Sequence, residues 1–228
     1  MTGHDLKQAR LAKRWTQEGT AKFLGLSQTY VSLLEANHRP VPDKLVPKFL
    51  RAFQVPPTAL PLRSSETATP TKPDHYAKYL GALGYPAFSY LKGRVDRNPA
   101  DLLLDALRQP DLDSRVAEGL PWLALAYPDL NWDWLVKNAK LNDLQNRLGF
   151  VVTLARRVAE KTHAHEKLPV LAHYEALLER SRLVREDTFC RESLTETEKR
   201  WLRKTRPPDA QRWNLLTDLS PNQLAYAG

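Results

Sequence analysis

Two glutamines, Gln17 and Gln28, stand in a stretch of mixed polar and apolar residues, "WTQEGTAKFLGLSQTYVSLLE", which runs from Trp15 to Glu35. Each is predicted to lie in the first turn of a helix. A primary amide carries both donors and an acceptor, so it can bond a polar partner in two ways at once. A helix that only covers an apolar core does not need such side chains, which indicates that both glutamines face a partner.

The residues around these glutamines predict two short helices joined by a tight turn. Thr16 and Ser27 are good N-terminal caps, so the helices should begin at Gln17 and Gln28. Gly25 supplies the positive φ angle that a sharp turn between them needs. The inward positions carry Ala21, Leu24, Leu26, Val31 and Leu34, and the outward ones Gln17, Gln28, Thr29 and Ser32. This is the layout of a helix-turn-helix, in which the second helix enters the major groove of DNA.

Positive charge is concentrated in the same part of the chain. The 228 residues carry 34 Lys and Arg against 26 Asp and Glu, a formal net charge of +8. Residues 1–62 hold nine of these basic residues and four of the acidic ones, a net charge of +5. An anionic partner is therefore expected to bind this segment rather than the rest of the chain.

The stretch "LKQARLAKRWTQEGTAKFLGLSQTYVSLLEANHRP" resembles the DNA-binding domain of lambda-repressor-like regulators, the Cro or xenobiotic-response-element class. The resemblance covers about residues 4–60. The residues that carry it are Arg10, Thr16, Gln17, Ala21, Gly25, Leu26, Ser27, Val31, Ser32 and Glu35. It implies a domain of five helices over residues 1–62, the last two being "PDKLVPKFLRAF" and "PPTALPL". It also implies that this domain binds double-stranded DNA, and we expect it to do so as a homodimer.

The resemblance assigns one set of side chains to base recognition. Gln28 matches the start of the recognition helix, where an amide can bond N6 and N7 of adenine together. Thr29 and Ser32 would reach a thymine methyl group or a base edge. Leu33 stands where the family often has a basic or polar side chain, so it either meets a thymine methyl group or reads little.

A second set is assigned to the DNA backbone, where contacts fix register without reading sequence. Gln17 would touch a phosphate with help from the helix N-terminus, and Tyr30 a sugar or phosphate. Asn37 and Arg39 lie in the loop after the third helix, and Lys44 lies just beyond it. Each position in both sets could instead be ordinary solvent-exposed surface.

Arg10 and Glu35 have a structural role in the family, as an ion pair that joins the first helix to the third. Removal of one partner would leave the other charge badly housed. Two departures from the family pattern concern the backbone. Gly19 inside the second helix should cost about 0.5–1 kcal/mol relative to alanine. Asn37 replaces a common loop glycine and can adopt its left-handed conformation.

The remainder of the chain predicts a linker and a second helical domain. "RSSETATPTKPD", from Arg63 to Asp74, is short-side-chained and broken by prolines, which places a flexible linker at residues 63–73. Apolar residues then recur at three- and four-residue spacing through residues 74–228, so the whole chain is predicted to be all-α. The second domain would serve dimerisation, a partner or an effector. The polar residues of "KLNDLQNRLGF" would serve either partner contact or internal hydrogen bonding.

The sequence predicts neither a metal site, nor a cofactor, nor catalysis. Cys190 is the single cysteine, which excludes an intrachain disulfide and a cysteine-based zinc site. His163 and His165, in "HAHEK", lack the spacing that zinc peptidases use. Neither a glycine-rich phosphate loop nor a nucleophile elbow is present in the sequence. We therefore expect that the protein is not an enzyme.

The sequence also lacks a secretory signal and any run near the roughly 20 apolar residues of a membrane span. A cytoplasmic protein with no membrane partner is the expectation that follows.

Two functions remain open at this point. The first is a sequence-specific transcriptional regulator, a repressor that reads a palindromic operator as a dimer. The second is an antitoxin, whose C-terminal domain would neutralise a partner toxin while the N-terminal domain represses their shared operon.

Overall fold

The computed structural model describes residues 2–42, 44–62, 71–224 and 226. Contacts divide the chain into two compact units. The first contains residues 1–62 and 94–98, and the second contains residues 63–93 and 99–228. The described residues are mainly α-helical, which confirms the all-α prediction.

The described part of the first unit contains the α-helices α1 (Gly3–Ala12), α2 (Gln17–Leu24), α3 (Gln28–Glu35) and α4 (Val46–Phe53). The stretch predicted for the fourth helix includes Asp43, which lies outside the described residues. In place of a fifth α-helix there is a single 3-10 turn, Pro57–Ala59. Pro56 and Pro57 lack the N–H groups of a helix, and Pro61 follows closely, so the segment cannot extend the turn.

Local sequence fixes how the first three helices begin. Thr2, Thr16 and Ser27 each accept a hydrogen bond from the backbone N–H three residues later. Asp5 returns a bond to the backbone of Thr2, which completes a capping box. Gly25 ends α2 with φ 69°, a left-handed conformation that glycine adopts without strain. The turn between α2 and α3 is therefore encoded within a few residues.

An apolar core supports this helix pair. It consists of Leu6, Leu24, Leu34, Phe49 and Phe53, each at most 4% exposed. These residues come from all four α-helices, so α2 and α3 are packed against α1 and α4. The pair thus sits on a rigid base rather than on loops.

A segment from beyond α5 completes the first unit. The side-chain amide of Asn98 donates hydrogen bonds to the carbonyl oxygens of Thr58 (2.9 Å) and Leu60 (2.7 Å). Val95 packs against the apolar cluster that contains Leu60. Residues 94–98 thereby cover the 3-10 turn that ends the helical part of the unit.

The second unit contains α5 (Pro73–Leu83), α6 (Pro99–Leu107), α7 (Ser114–Ala126), α8 (Trp132–Leu141), α9 (Gln145–Lys161), α10 (Leu168–Glu179), α11 (Glu196–Thr205) and α12 (Pro208–Arg212). Two short strands, β1 (Asp187–Thr188) and β2 (Leu215–Leu216), pair in parallel. Of the predicted linker, residues 63–70 lie outside the described residues, and Pro73 is already the first residue of α5.

Helix α9 is the centre of the second unit and packs against α7, α8 and α10. Gly149 on α9 faces Trp213 so closely that a Cβ atom would lie 2.3 Å from the indole ring. Trp213 is fully buried, and its Nε1 donates to Oγ1 of Thr153 at 2.7 Å. A glycine is required here because any larger residue would displace the buried indole.

The polar residues at the start of α9 make bonds inside the unit. Asn146 exchanges two hydrogen bonds with the backbone of Leu183, at 2.9 Å and 2.8 Å. Arg147 donates to Asp187 at 2.7 Å and 3.0 Å, and to the carbonyl oxygen of Leu107 at 2.9 Å. For these two residues, the structure selects internal hydrogen bonding over partner contact.

None of the helices in the described part of the chain combines the length and the apolar character needed to cross a bilayer. Over the same residues, no group of three or more His, Cys, Asp or Glu side chains is placed to hold a metal ion.

Candidate DNA-binding surface

Helix α3 has one buried face and one face toward solvent. Val31 and Leu34 are fully buried in the core of the first unit. Gln28 and Thr29, in the first turn, are exposed, while Ser32 and Leu33 are half-buried. The four side chains assigned to base recognition therefore all reach the surface of α3, and its first turn projects furthest.

A chain of hydrogen bonds links Gln28 to the interior. Arg10 donates to both carboxylate oxygens of Glu35, from Nε at 2.6 Å and from Nη2 at 3.0 Å. Gln17 donates to Glu35 from Nε2 at 2.9 Å, and Gln28 donates to Oε1 of Gln17 at 3.0 Å. The chain starts at an ion pair on α1 and α3 and ends at an exposed amide.

The direction of these bonds is fixed by Glu35. A carboxylate only accepts hydrogen bonds, so Gln17 must turn its Nε2 toward Glu35 and its Oε1 toward Gln28. Gln28 must then use one N–H on Gln17. Its second N–H and its Oε1 have no other partner within the described residues. One donor and one acceptor at adjacent positions are what the major-groove edge of adenine requires.

The ion pair itself is buried, with side-chain exposures of 10% for Arg10 and 2% for Glu35. Arg10 also donates to the carbonyl oxygen of Trp15 at 2.7 Å. Burial alone would raise the pKa of Glu35, but the hydrogen bonds from Arg10 and Gln17 outweigh it and the pKa is lowered. Glu35 is therefore ionised at neutral pH, as its role as acceptor demands.

Gln17 differs from its expected use as a phosphate contact. It is half-buried, and both ends of its amide are engaged, on Glu35 and on Gln28. A phosphate at this point would meet the N-terminus of α2, where the first backbone N–H groups lack intrahelical acceptors. Gln17 thus orients Gln28, and its second N–H remains for an anion.

Asn37 and Arg39 have contacts of their own in the loop after α3. Asn37 has φ 57°, and its Oδ1 accepts a hydrogen bond from the backbone N–H of Gly3 at 2.8 Å. The Arg39 guanidinium lies 5.7 Å from the centre of the Tyr30 ring. Arg39 and Lys44 are both exposed. The bond to Gly3 was not predicted, because its two residues are 34 positions apart and no local pattern marks the pair.

A helix-turn-helix family model matches residues 6–60 of the chain. Residues 6–60 form a helix-turn-helix domain. No curated protein and no solved structure matched the chain in the other comparisons. The helix-turn-helix domain makes the protein a DNA-binding transcriptional regulator, and within that domain α3 is the helix that enters the major groove.

Proposed function

We propose that the protein is a sequence-specific repressor that binds a palindromic operator as a homodimer. The observation that carries the proposal is the hydrogen-bond chain from Arg10 through Glu35 and Gln17 to Gln28. It holds an exposed amide in one orientation at the N-terminus of α3. An oriented donor–acceptor pair can select a base, whereas a freely rotating one pays an entropic cost on binding.

Dimerisation follows from the small size of α3. Its eight residues span about 12 Å, and four side chains face a base pair or two each. One such helix reads too few bases to find a site in a genome. Two copies related by a two-fold axis would read half-sites about 34–36 Å apart, one turn of DNA.

Repression needs no activity beyond this binding. A dimer that covers a promoter excludes the polymerase by occupying the same DNA. The proposal therefore includes no catalysis and no cofactor, and it places the protein in the cytoplasm, where that DNA is.

The test is footprinting on the promoter of the protein's own gene, together with selection of preferred sites from random DNA. We expect protection of a two-fold symmetric site. The variant Gln28→Ala/Arg39→Ala serves as the negative control, since it removes one base contact and one backbone contact. Recovery of random sequences with the wild-type chain would refute sequence-specific binding.

A second candidate function is an antitoxin. It is favoured by large apolar side chains that the second unit leaves in solvent, namely Trp201 at 55%, Leu141 at 73% and Val184 at 93% exposure. A partner protein could cover them. Co-expression with the product of the adjacent open reading frame, followed by purification through a tag on this chain, tests it. Stable co-purification of a small growth-inhibiting protein would select this function, and its failure would leave the repressor alone.

A further inference from the structure

The second unit contains a cavity of about 420 Å³ beside the N-terminal half of α7. Its apolar floor includes Ala117, Phe189 and Leu219, which are at most 8% exposed. Its rim is polar and includes Asp218 and Arg191, both exposed. A cavity of this size suits a small molecule of a few to a dozen or so heavy atoms rather than a protein segment.

Glu118 lies between the floor and the rim, half-buried on α7. Throughout the described residues, no group donates a hydrogen bond to its carboxylate and no cation pairs with it. Burial raises the pKa of Glu118, and the nearby charge of Arg115 offsets only part of that effect. A partly desolvated carboxylate without a partner weakens the fold, so its presence beside a cavity points to a ligand.

The charges around the cavity indicate the sign of that ligand. Asp218 is a second carboxylate in the lining, and it too has no hydrogen bond or ion pair within the described part of the chain. The one cation in the lining, Arg191, faces a carboxylate already, with Nη2 at 3.7 Å from Glu198. The cavity therefore offers two uncompensated negative charges above an apolar floor.

We propose that this cavity binds a small organic cation, a protonated primary amine on an apolar body. The ammonium group lies against Glu118 and the apolar body against Phe189 and Leu219. The ammonium supplies three donors to a carboxylate that now has none, while the body displaces water from the floor. The site lies wholly in the second unit, so it stands or falls independently of DNA binding.

The experiment is calorimetric titration of the full chain with matched pairs of primary amines and alcohols, from propylamine and propanol to phenethylamine and phenylethanol. We expect at least one amine to bind about tenfold more tightly than its alcohol. Glu118→Gln should remove that difference and leave alcohol binding unchanged. Glu166→Gln, an exposed carboxylate outside the cavity lining, is the matched control and should bind as the wild type does.

A second readout separates a ligand site from a structural carboxylate. Without ligand, Glu118→Gln should melt about 2 °C or more above the wild type, because it removes an uncompensated charge. A lower melting temperature would mean that Glu118 has a structural partner, and the proposal would fail. It would also fail if no amine in the series bound better than its alcohol, or if Glu118→Gln retained the preference.

Discussion

At Gln28, one side chain serves the fold and the DNA together. One N–H is held by Gln17, which leaves a donor and an acceptor for a single adenine. We therefore expect Gln28→Ala to lose about 1–3 kcal/mol of discrimination at one base pair in each half-site. Selection of sites from random DNA measures the loss at each position.

Gln8→Ala is the control for this experiment, because Gln8 is an exposed glutamine on α1. Both variants should melt with the wild type, since neither side chain is in the core. If Gln28→Ala selected the same sequences with equal stringency at every position, Gln28 would be only a solvated surface residue.

Arg10 and Glu35 make a prediction about stability. Arg10→Met should destabilise the first unit by about 3–5 kcal/mol, because Glu35 would remain buried without its cation. Arg10→Met/Glu35→Leu should recover much of that loss, since an apolar pair of similar size leaves no uncompensated charge. Urea unfolding followed by hydrogen exchange on α1 and α3 measures both. Equal stability of the single variant and wild type would show that the pair contributes nothing.

The same pair has a pH dependence of known sign. The folded pKa of Glu35 is below its ordinary value of 4.5. Its contribution to stability is therefore fully present above about pH 4.5 and is lost as the pH falls through the lower, folded value. The acid limb of stability should be shallower in Arg10→Met/Glu35→Leu than in the wild type.

Arg39 and Lys44 should act on DNA affinity without acting on specificity. Arg39→Ala or Lys44→Ala should weaken binding equally on all sequences and lower the slope of log K against log salt by about one per contact. Lys140→Ala, an exposed lysine of the second unit, is the charge-matched control. An unchanged slope would remove the tested residue from the interface.

Among the elements, residues 94–98 carry the next prediction. Asn98 is 2% exposed and donates to two carbonyl oxygens in the 3-10 turn. Asn98→Ala should cost about 1–3 kcal/mol, since these buried carbonyls lose their donors. Hydrogen exchange on α4 should report the loss. Asn142→Ala removes an exposed bond to a carbonyl of its own helix and should have little effect.

The contrast between α3 and the segment 94–98 shows what the sequence could predict. The beginning of α3 depends on Ser27, Gly25 and the apolar spacing, all within one turn, so local pattern sufficed. The segment 94–98 rejoins the first unit through pairings about 40 residues apart, and neither composition nor periodicity records such a pairing. The β1–β2 pair is equally non-local, with two residues per strand.

The candidate site divides in the same way. The outward positions of α3 followed from helical periodicity, since a buried Val31 and Leu34 place Gln28, Thr29 and Ser32 elsewhere on the helix. The direction of the Gln17–Gln28 bond could not follow from spacing, because it depends on Glu35 being an ionised acceptor in the interior. Three-dimensional placement, not sequence order, sets that polarity.

For the whole molecule, the proposed dimer predicts how affinity depends on half-site spacing. Two recognition helices fixed by a two-fold axis reach the same face of DNA when half-sites are about one turn, 10–10.5 base pairs, apart. Insertion of about five base pairs turns the second half-site to the opposite face. We expect that insertion to lower affinity to that of a single half-site, because only one copy can then engage its bases. Gel-shift titration of the natural, expanded and single-site DNAs measures the three affinities, and sedimentation counts the copies on each. Equal affinity for all three, with one copy bound, would show that the protein reads DNA as a monomer and that the operator's symmetry has another origin.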